Sequence, residues 1–194
     1  MKIILGSSSP QRQKILKDLG YEFEVIKPEL DESSVRDADP RELVLKLGRA
    51  KADDVIRRIT EEALVITGDS ITVVNGEIRE KPKDKEQAYE WIEEMAQGVP
   101  QVQVSSVVIT NSRTGERKEG VAETSVVFGA MSRDEAKEFV ESGIVFSHSG
   151  GYAIQKEPFW SHVKAIDGEL ETIIGMPKTM LLDFLTKIKN RRAE

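Results

Sequence analysis

The chain of 194 residues contains no cysteine, which removes disulfides, thiol nucleophiles and thiolate zinc sites together. Histidine is almost missing too. His148 and His162 are the two present, they lie in no zinc-binding spacing, and no Gly-x-Ser-x-Gly elbow accompanies them. A serine or cysteine hydrolase triad therefore has little to build on. No apolar run approaches the roughly 20 residues that span a bilayer. The N-terminus offers one lysine and three apolar residues before it turns polar, unlike a signal peptide, so the expectation is a cytoplasmic protein without a membrane partner. Positive charge is in deficit: 28 Lys and Arg against 34 Asp and Glu give a net charge of −6. That argues against a nucleic-acid surface, and basic residues that matter must act in a local pocket. Internal repeats and low-complexity tracts are absent.

What is present concentrates at the start. Lys2 to Leu5 is a short apolar run, and Ser9-Pro10 reads as an N-cap followed by proline at the first helical position. Gly6, Ser7 and Ser8 lie between them with small side chains and backbone N–H groups. Strand, polar loop and helix N-terminus in that order suit an anion such as phosphate. At 100° per residue Arg12 falls between Leu16 on one side and Ile15 and Leu19 on the other, inside the helix's apolar arc. It either points into a cleft beside the serine loop or snorkels out past the helix end.

Helix and strand patterns then alternate. A helix over 10–19 leads to a strand over 21–26 and an acidic loop over 28–32. Asp39-Pro40-Arg41-Glu42 reads as a capping box opening a helix to about residue 59. A buried strand over 64–67 ends at Gly68-Asp69, and strands over 71–74 and 77–79 flank the hairpin signal Asn75-Gly76. Asp84 caps a helix whose Ala88, Trp91, Ile92 and Met95 share a face, ended by Gly98. Strands over 101–110 and 116–127 follow, then a capping box at Ser132 and Glu135, a Gly-rich segment over 147–151, and a final helix opened by Pro177. The expected class is α/β with a mixed sheet, because hairpins interrupt what would otherwise be repeated βαβ units.

The chemistry on offer is carboxylates and cations at loop ends. Asp69 stands at the carboxyl end of a buried strand, the edge where open α/β sheets place ligands, although a solvated turn aspartate is the plainer reading. Glu32 lies in the acidic loop, where an exposed carboxylate is equally ordinary. Lys51 interrupts an apolar stripe between Leu47 and Val55, either snorkelling to an edge or reaching a cleft. Lys81 precedes Pro82 and is held in extended backbone. Three cations (Arg12, Lys51, Lys81) could hold a triphosphate while Asp69 and Glu32 hold a hard metal ion through oxygen and activate water.

These residues sit in segments that, in order, resemble the Maf family of nucleoside triphosphate pyrophosphatases, some of which are linked to septum formation. The segments are Ser7-Ser-Ser-Pro-Gln-Arg12, Gly48-Arg-Ala-Lys-Ala52, Gly68-Asp-Ser70, Glu80-Lys-Pro82, Gly151-Tyr-Ala-Ile-Gln155 and Gly175-Met-Pro177. The resemblance covers nearly the whole chain. It implies one domain over 1–194, with two lobes around a central cleft and an elongated mixed β-sheet flanked by helices, similar to inosine triphosphate pyrophosphatases. It also implies a divalent cation (Mg2+ or Mn2+), a frequent homodimer, Asp69 as catalytic acid/base, and Glu32 with Asp69 at the metal. Ser7, Ser8, Ser9, Gln11, Arg12, Lys51, Ser70, Lys81 and Gln155 form the implied substrate-binding set. Many relatives carry a second arginine or a tryptophan where this chain has Gln11, and threonine or glutamine where it has Ser70. Both positions are associated with base selection. The stretch over 105–120 looks more like eukaryotic-type members. Gln155 offers one acceptor and two donors, which suit the carbonyl and N3–H edge of uracil or thymine, unless it only satisfies loop backbone groups. The expected substrate is thus dTTP, UTP or a modified relative, with 7-methyl-GTP, or nucleotide binding without turnover by a regulator of cell division, as the alternatives.

Overall fold

The computed structural model describes residues 1–190, and the chain divides into two compact units. Met1–Ser70, Ser105–Ala122 and the segment from Gly175 onward form the first, and Ile71–Val104 with Glu123–Ile174 form the second. Eight strands make up a mixed sheet, with helices flanking it, as the alternating pattern implies. Among the described residues no helix is long and apolar enough to cross a membrane.

In the first unit β1 (Lys2–Leu5) pairs in parallel with both β2 (Glu24–Val25) and β3 (Ala63–Thr67), Leu5 lying opposite Val25 and Ile66. β3 pairs antiparallel with the far half of β6 (Gln101–Asn111), giving the order β2-β1-β3-β6. All five residues of β3 are buried, which is why its sequence is a continuous apolar run rather than an alternating one. α1 (Pro10–Asp18) and α2 (Pro40–Arg58) cover this part of the sheet, and Ile4, Val55, Ala63 and Val65 pack in one cluster. α7 (Lys178–Asn190) buries Leu181, Leu185 and Ile188, and its first turn begins from the Pro177 carbonyl.

Two details differ from the sequence expectation. The strand expected over 21–26 is reduced to Glu24–Val25, both exposed, because this edge strand pairs only with the end of β1. Asp39 caps α2 without a capping box: its side chain accepts from Arg41 N at 2.8 Å, one residue short of the N3 position that a box uses.

In the second unit β4 (Ser70–Val74) and β5 (Glu77–Arg79) form the hairpin, with Asn75 at φ 52° and Gly76 at φ 84° as its two turn residues. β4 neighbours β6 in the sheet, and the end of β7 (Arg117–Phe128), whose first six residues belong to the first unit, pairs over Ser125 to Phe128 with β8 (Val163–Asp167). α3 (Lys85–Ala96) and α4 (Arg133–Glu141) flank the unit, and α4 carries the expected capping box at Ser132 and Glu135. α5 (Phe159–His162) and α6 (Leu170–Ile174) are single turns. The core is aromatic. Phe128, Phe139, Tyr152 and Phe159 meet edge-on or tilted at centroid distances of 4.6 to 5.9 Å, backed by Ile92, Met95 and Val140.

Candidate active site

The Gly68-Asp69-Ser70 turn leaves β3 pressed against β6. A Cβ on Gly68 would stand 2.2 Å from the Ser106 carbonyl oxygen, so glycine is what permits the approach. Ser106 then fixes the main chain of Asp69 twice. Asp69 N donates to Ser106 Oγ at 2.9 Å, and Ser106 N donates to Asp69 O at 2.9 Å. The Ser106 hydroxyl in turn donates to Val44 O of α2 at 2.7 Å. The catalytic candidate thus stands on a backbone held from two elements.

Its side chain meets Lys51. Lys51 Nζ lies 2.6 Å from Asp69 Oδ1 and 3.2 Å from Glu32 Oε2. The lysine does not snorkel to an edge: its side chain is 7% exposed, against 13% for Asp69 and 56% for Glu32. One ammonium therefore bridges a buried and an exposed carboxylate. Such an arrangement offsets the charge of each acid and presents positive charge where a polyanion would arrive. Glu32 is carried by a short 3₁₀ turn, Glu32–Ser34, capped by the Asp31 side chain on Ser33 N.

Arg12 is also buried, at 8% exposure. Its Nε donates to Gly175 O at 2.8 Å, one terminal nitrogen to Gly68 O at 2.9 Å and Ser7 Oγ at 3.3 Å, and the other to Ser70 Oγ at 3.1 Å. Four of the five N–H donors of a guanidinium are spent on protein acceptors. Arg12 therefore ties the serine loop, both neighbours of Asp69 and the Gly175 loop to one point. Burial pulls its pKa below the ordinary arginine value, offset in part by Asp69 and Glu32. Ser70 takes a second bond, from Ser105 Oγ at 2.9 Å, and donates to Gly175 O at 3.3 Å. In the serine loop Ser9 caps α1 and donates to Gln11 Oε1 at 3.0 Å, whereas Ser8 is exposed.

Lys81 and Gln155 belong to the second unit. Gly150 N donates to Glu80 O at 2.9 Å, and a Cβ on Gly151 would stand 3.5 Å from Pro82, so the segments bearing Lys81 and Gln155 are joined. Gly150 and Gly151 both adopt positive φ, near 72° and 71°. A side chain at Gly150 would strike Thr72 at 2.7 Å. Lys81 and Gln155 are exposed, and neither side chain has a hydrogen-bond or ion-pair partner among the described residues. Gln155 is therefore not occupied in satisfying loop backbone.

Sequence reasoning gave no site role to Ser106, to Gly175 of the Gly175-Met-Pro177 segment, or to the buried Gln103. The signal for two of them was there: Gln101, Gln103 and Ser105 recur with period two in a valine-rich strand, and Ser106 adds a buried hydroxyl beside them. Among the described residues no group of three or more His, Asp or Glu could hold a metal by itself. Asp69 and Glu32 still fit Mg2+ or Mn2+, since hard cations of this kind are commonly held by one or two carboxylates together with water and substrate phosphates.

Fold and site together define an α/β protein whose buried cations and carboxylates are organised for a phosphorylated ligand. The chain belongs to the Maf-like protein family, whose family model matches residues 2–188. It is 35% identical over 193 residues to a 7-methyl-GTP pyrophosphatase from Dictyostelium discoideum, covering 96% of each chain. It is 31% identical over 188 residues to a dTTP/UTP pyrophosphatase from Caldanaerobacter subterraneus, covering 96% of this chain and 89% of that one. A solved nucleoside-triphosphatase/dITP/XTP pyrophosphatase from Mycobacterium abscessus is similar with a TM-score of 0.40 and 15% identity, over 68% of this chain and 76% of that one.

Proposed function

We propose that the chain hydrolyses a nucleoside triphosphate between its α and β phosphates, giving the monophosphate and pyrophosphate. The observation that carries this is the buried Lys51 ammonium shared by Asp69 and Glu32, in a chain whose relatives are named as nucleotide pyrophosphatases. In this reading Asp69 orients a water and takes its proton, and the water oxygen attacks the α phosphorus in line. The bond from that phosphorus to the bridging oxygen breaks, and its electron pair leaves with pyrophosphate. Lys51 and Lys81 supply positive charge to the polyphosphate, and Ser8 offers an exposed hydroxyl; neither the Lys81 nor the Ser8 side chain has a partner among the described residues. Arg12 holds Gly68 and Ser70 on either side of Asp69 while adding its charge to the site. A divalent cation, held by Asp69 and Glu32, supplies neutralisation of charge on the phosphate oxygens when bound.

The carboxamide of Gln155, exposed and without a partner among the described residues, supports a pyrimidine base over 7-methylguanine. It presents a donor and an acceptor at once, matching the alternating edge of uracil or thymine. The test is pyrophosphate release from UTP, dTTP, CTP, ATP, GTP and 7-methyl-GTP with magnesium or manganese. Monophosphate and pyrophosphate in equal amounts, fastest from UTP or dTTP, is the expected result. Orthophosphate and diphosphate would overturn the bond assignment. Preference for 7-methyl-GTP would overturn the base assignment and leave the reaction standing. Saturable binding with no turnover on any of them would replace the enzyme by a nucleotide-binding regulator.

A further inference from the structure

Gln103 is buried at 5% exposure on β6, and its carboxamide is oriented by two hydroxyls. Thr72 Oγ1 donates to Gln103 Oε1 at 3.0 Å, and Tyr152 OH donates to the same oxygen at 3.4 Å. With the oxygen occupied from both sides, the amide nitrogen carries two N–H donors that have no partner among the described residues. The residue is almost wholly buried, yet this nitrogen is not itself enclosed, so a ligand can reach donors that the fold holds in a fixed direction.

The surroundings make this donor rigid. Thr72 N donates to Ser149 Oγ at 2.8 Å, and Ser149 Oγ donates to Arg79 O at 2.7 Å. The absent side chain of Gly150 leaves room for Thr72, whose Oγ1 a Cβ there would meet at 2.7 Å. Tyr152 sits in the aromatic core against Phe128 and Phe159, where burial pushes its phenol well above the usual range and keeps it a donor. Gln155 follows Tyr152 by three residues in the same unit.

We propose that Gln103 is a specificity-determining residue whose neutral N–H donors recognise a carbonyl oxygen on the base of the substrate. The ligand group is a neutral acceptor. A phosphate buried against an uncharged amide would lack the cation that its charge requires, and the chain's cations offer that elsewhere. Uracil, thymine and guanine carry such a carbonyl, and adenine does not. This rests on the reading of the chain as a triphosphate pyrophosphatase.

The experiment compares kcat/KM for UTP with that for base-free ribose 5-triphosphate, in wild type, Gln103→Met and Tyr152→Phe. Leaving the base carbonyl unpaired should lower the UTP to base-free ratio on the order of 5- to 150-fold in Gln103→Met. Tyr152→Phe keeps the ring and loses one orienting hydroxyl, so a smaller fall in the same ratio is expected. Should Gln103→Met fail to fold, the ratio in Tyr152→Phe decides. Equal losses on both substrates, with the ratio unmoved, would make Gln103 structural and overturn the inference alone. No pyrophosphate from any triphosphate with the wild type would overturn the functional reading, and this inference with it.

Discussion

Arg12→Lys separates positioning from charge more cleanly than any other change in the first unit. The lysine keeps a cation in place but cannot reproduce a fork that reaches Gly175 O, Gly68 O, Ser7 Oγ and Ser70 Oγ together. An ammonium on a flexible stem can satisfy two of those acceptors at most geometries, so about two lose their bond to the cation, although Ser70 Oγ, Ser7 Oγ and Gly175 O each keep another partner. Each lost hydrogen bond to a charged group costs roughly 1.5–3 kcal/mol, and hydrogen bonding within the cluster makes the losses less than additive. A net loss of about 2–4 kcal/mol follows, lowering the melting midpoint by roughly 4–16 °C for a chain of this size. The kinetic effect should be of similar size in free energy. Gly68 and Ser70 flank Asp69, and a shift of about 1 Å at a reacting group can cost about 100-fold in rate. We therefore expect kcat to fall by about that factor while KM for the triphosphate stays within a few-fold. Steady-state kinetics and a thermal melt on the same preparation check both numbers. Unchanged kcat with KM raised tenfold or more would refute the positioning argument and make Arg12 a phosphate ligand.

Asp69→Asn keeps the shape of the side chain and the bonds that Ser106 makes to its main chain, so the fold should persist while kcat falls roughly 10²–10⁴-fold; a loss of only a few-fold would remove its acid/base role. Exhaustive chelation should abolish pyrophosphate release and added magnesium or manganese should restore it, since Asp69 and Glu32 are oxygen donors; full activity after chelation refutes the metal arm. The pH dependence of stability should carry a signature of the α4 cap. The Ser132 hydroxyl, then His162, then the Ser132 backbone hold the Glu135 carboxyl down at about 2 from its ordinary 4.5. A depressed acid stabilises the fold in full above its unfolded value and stops doing so as pH falls through the folded one. The difference in melting midpoint between wild type and Glu135→Gln should hold steady above about pH 5, shrink below 4.5 and close near 2; a gap that widens on acidification would reverse the sign.

Much of the first unit was legible because its site residues violate local patterns. Arg12 and Lys51 each occupy an apolar arc of a helix, and a charge in such a place must be either edge-bound or partnered; both proved partnered. Asp69 followed from its position at the end of a strand with no polar residue before Thr67. What they touch was not legible. The acceptor that Arg12 finds at Gly175 lies 163 residues away, and no periodicity in one segment encodes the carbonyl of another. The capping box at Ser132 and the hairpin at Asn75-Gly76 were readable for the opposite reason: their partners are within three residues. Between Gln155 and Pro177 the sequence was silent. α5, β8 and α6 are four or five residues each, shorter than a helical repeat needs to declare itself.

The alternating Gln101, Gln103 and Ser105 mark a different boundary of sequence reading. Period two reveals that these residues share a face of β6, and a face of that kind is expected to be apolar inside a core or polar outside it. Here it is polar and buried. Neither pattern nor propensity distinguishes a polar face that is satisfied internally from one that waits for a ligand, because the difference lies in which atoms remain unpaired after folding. Ser105 and Thr72 spend their hydroxyls on neighbours, whereas Gln103 spends its oxygen and keeps its nitrogen. The same distinction sorts the cations. Arg12 and Lys51 are committed to protein acceptors and shape the site, while Lys81 is exposed and uncommitted among the described residues. Recognition of a substrate falls to the groups whose hydrogen-bonding capacity the fold has fixed in place and left unused.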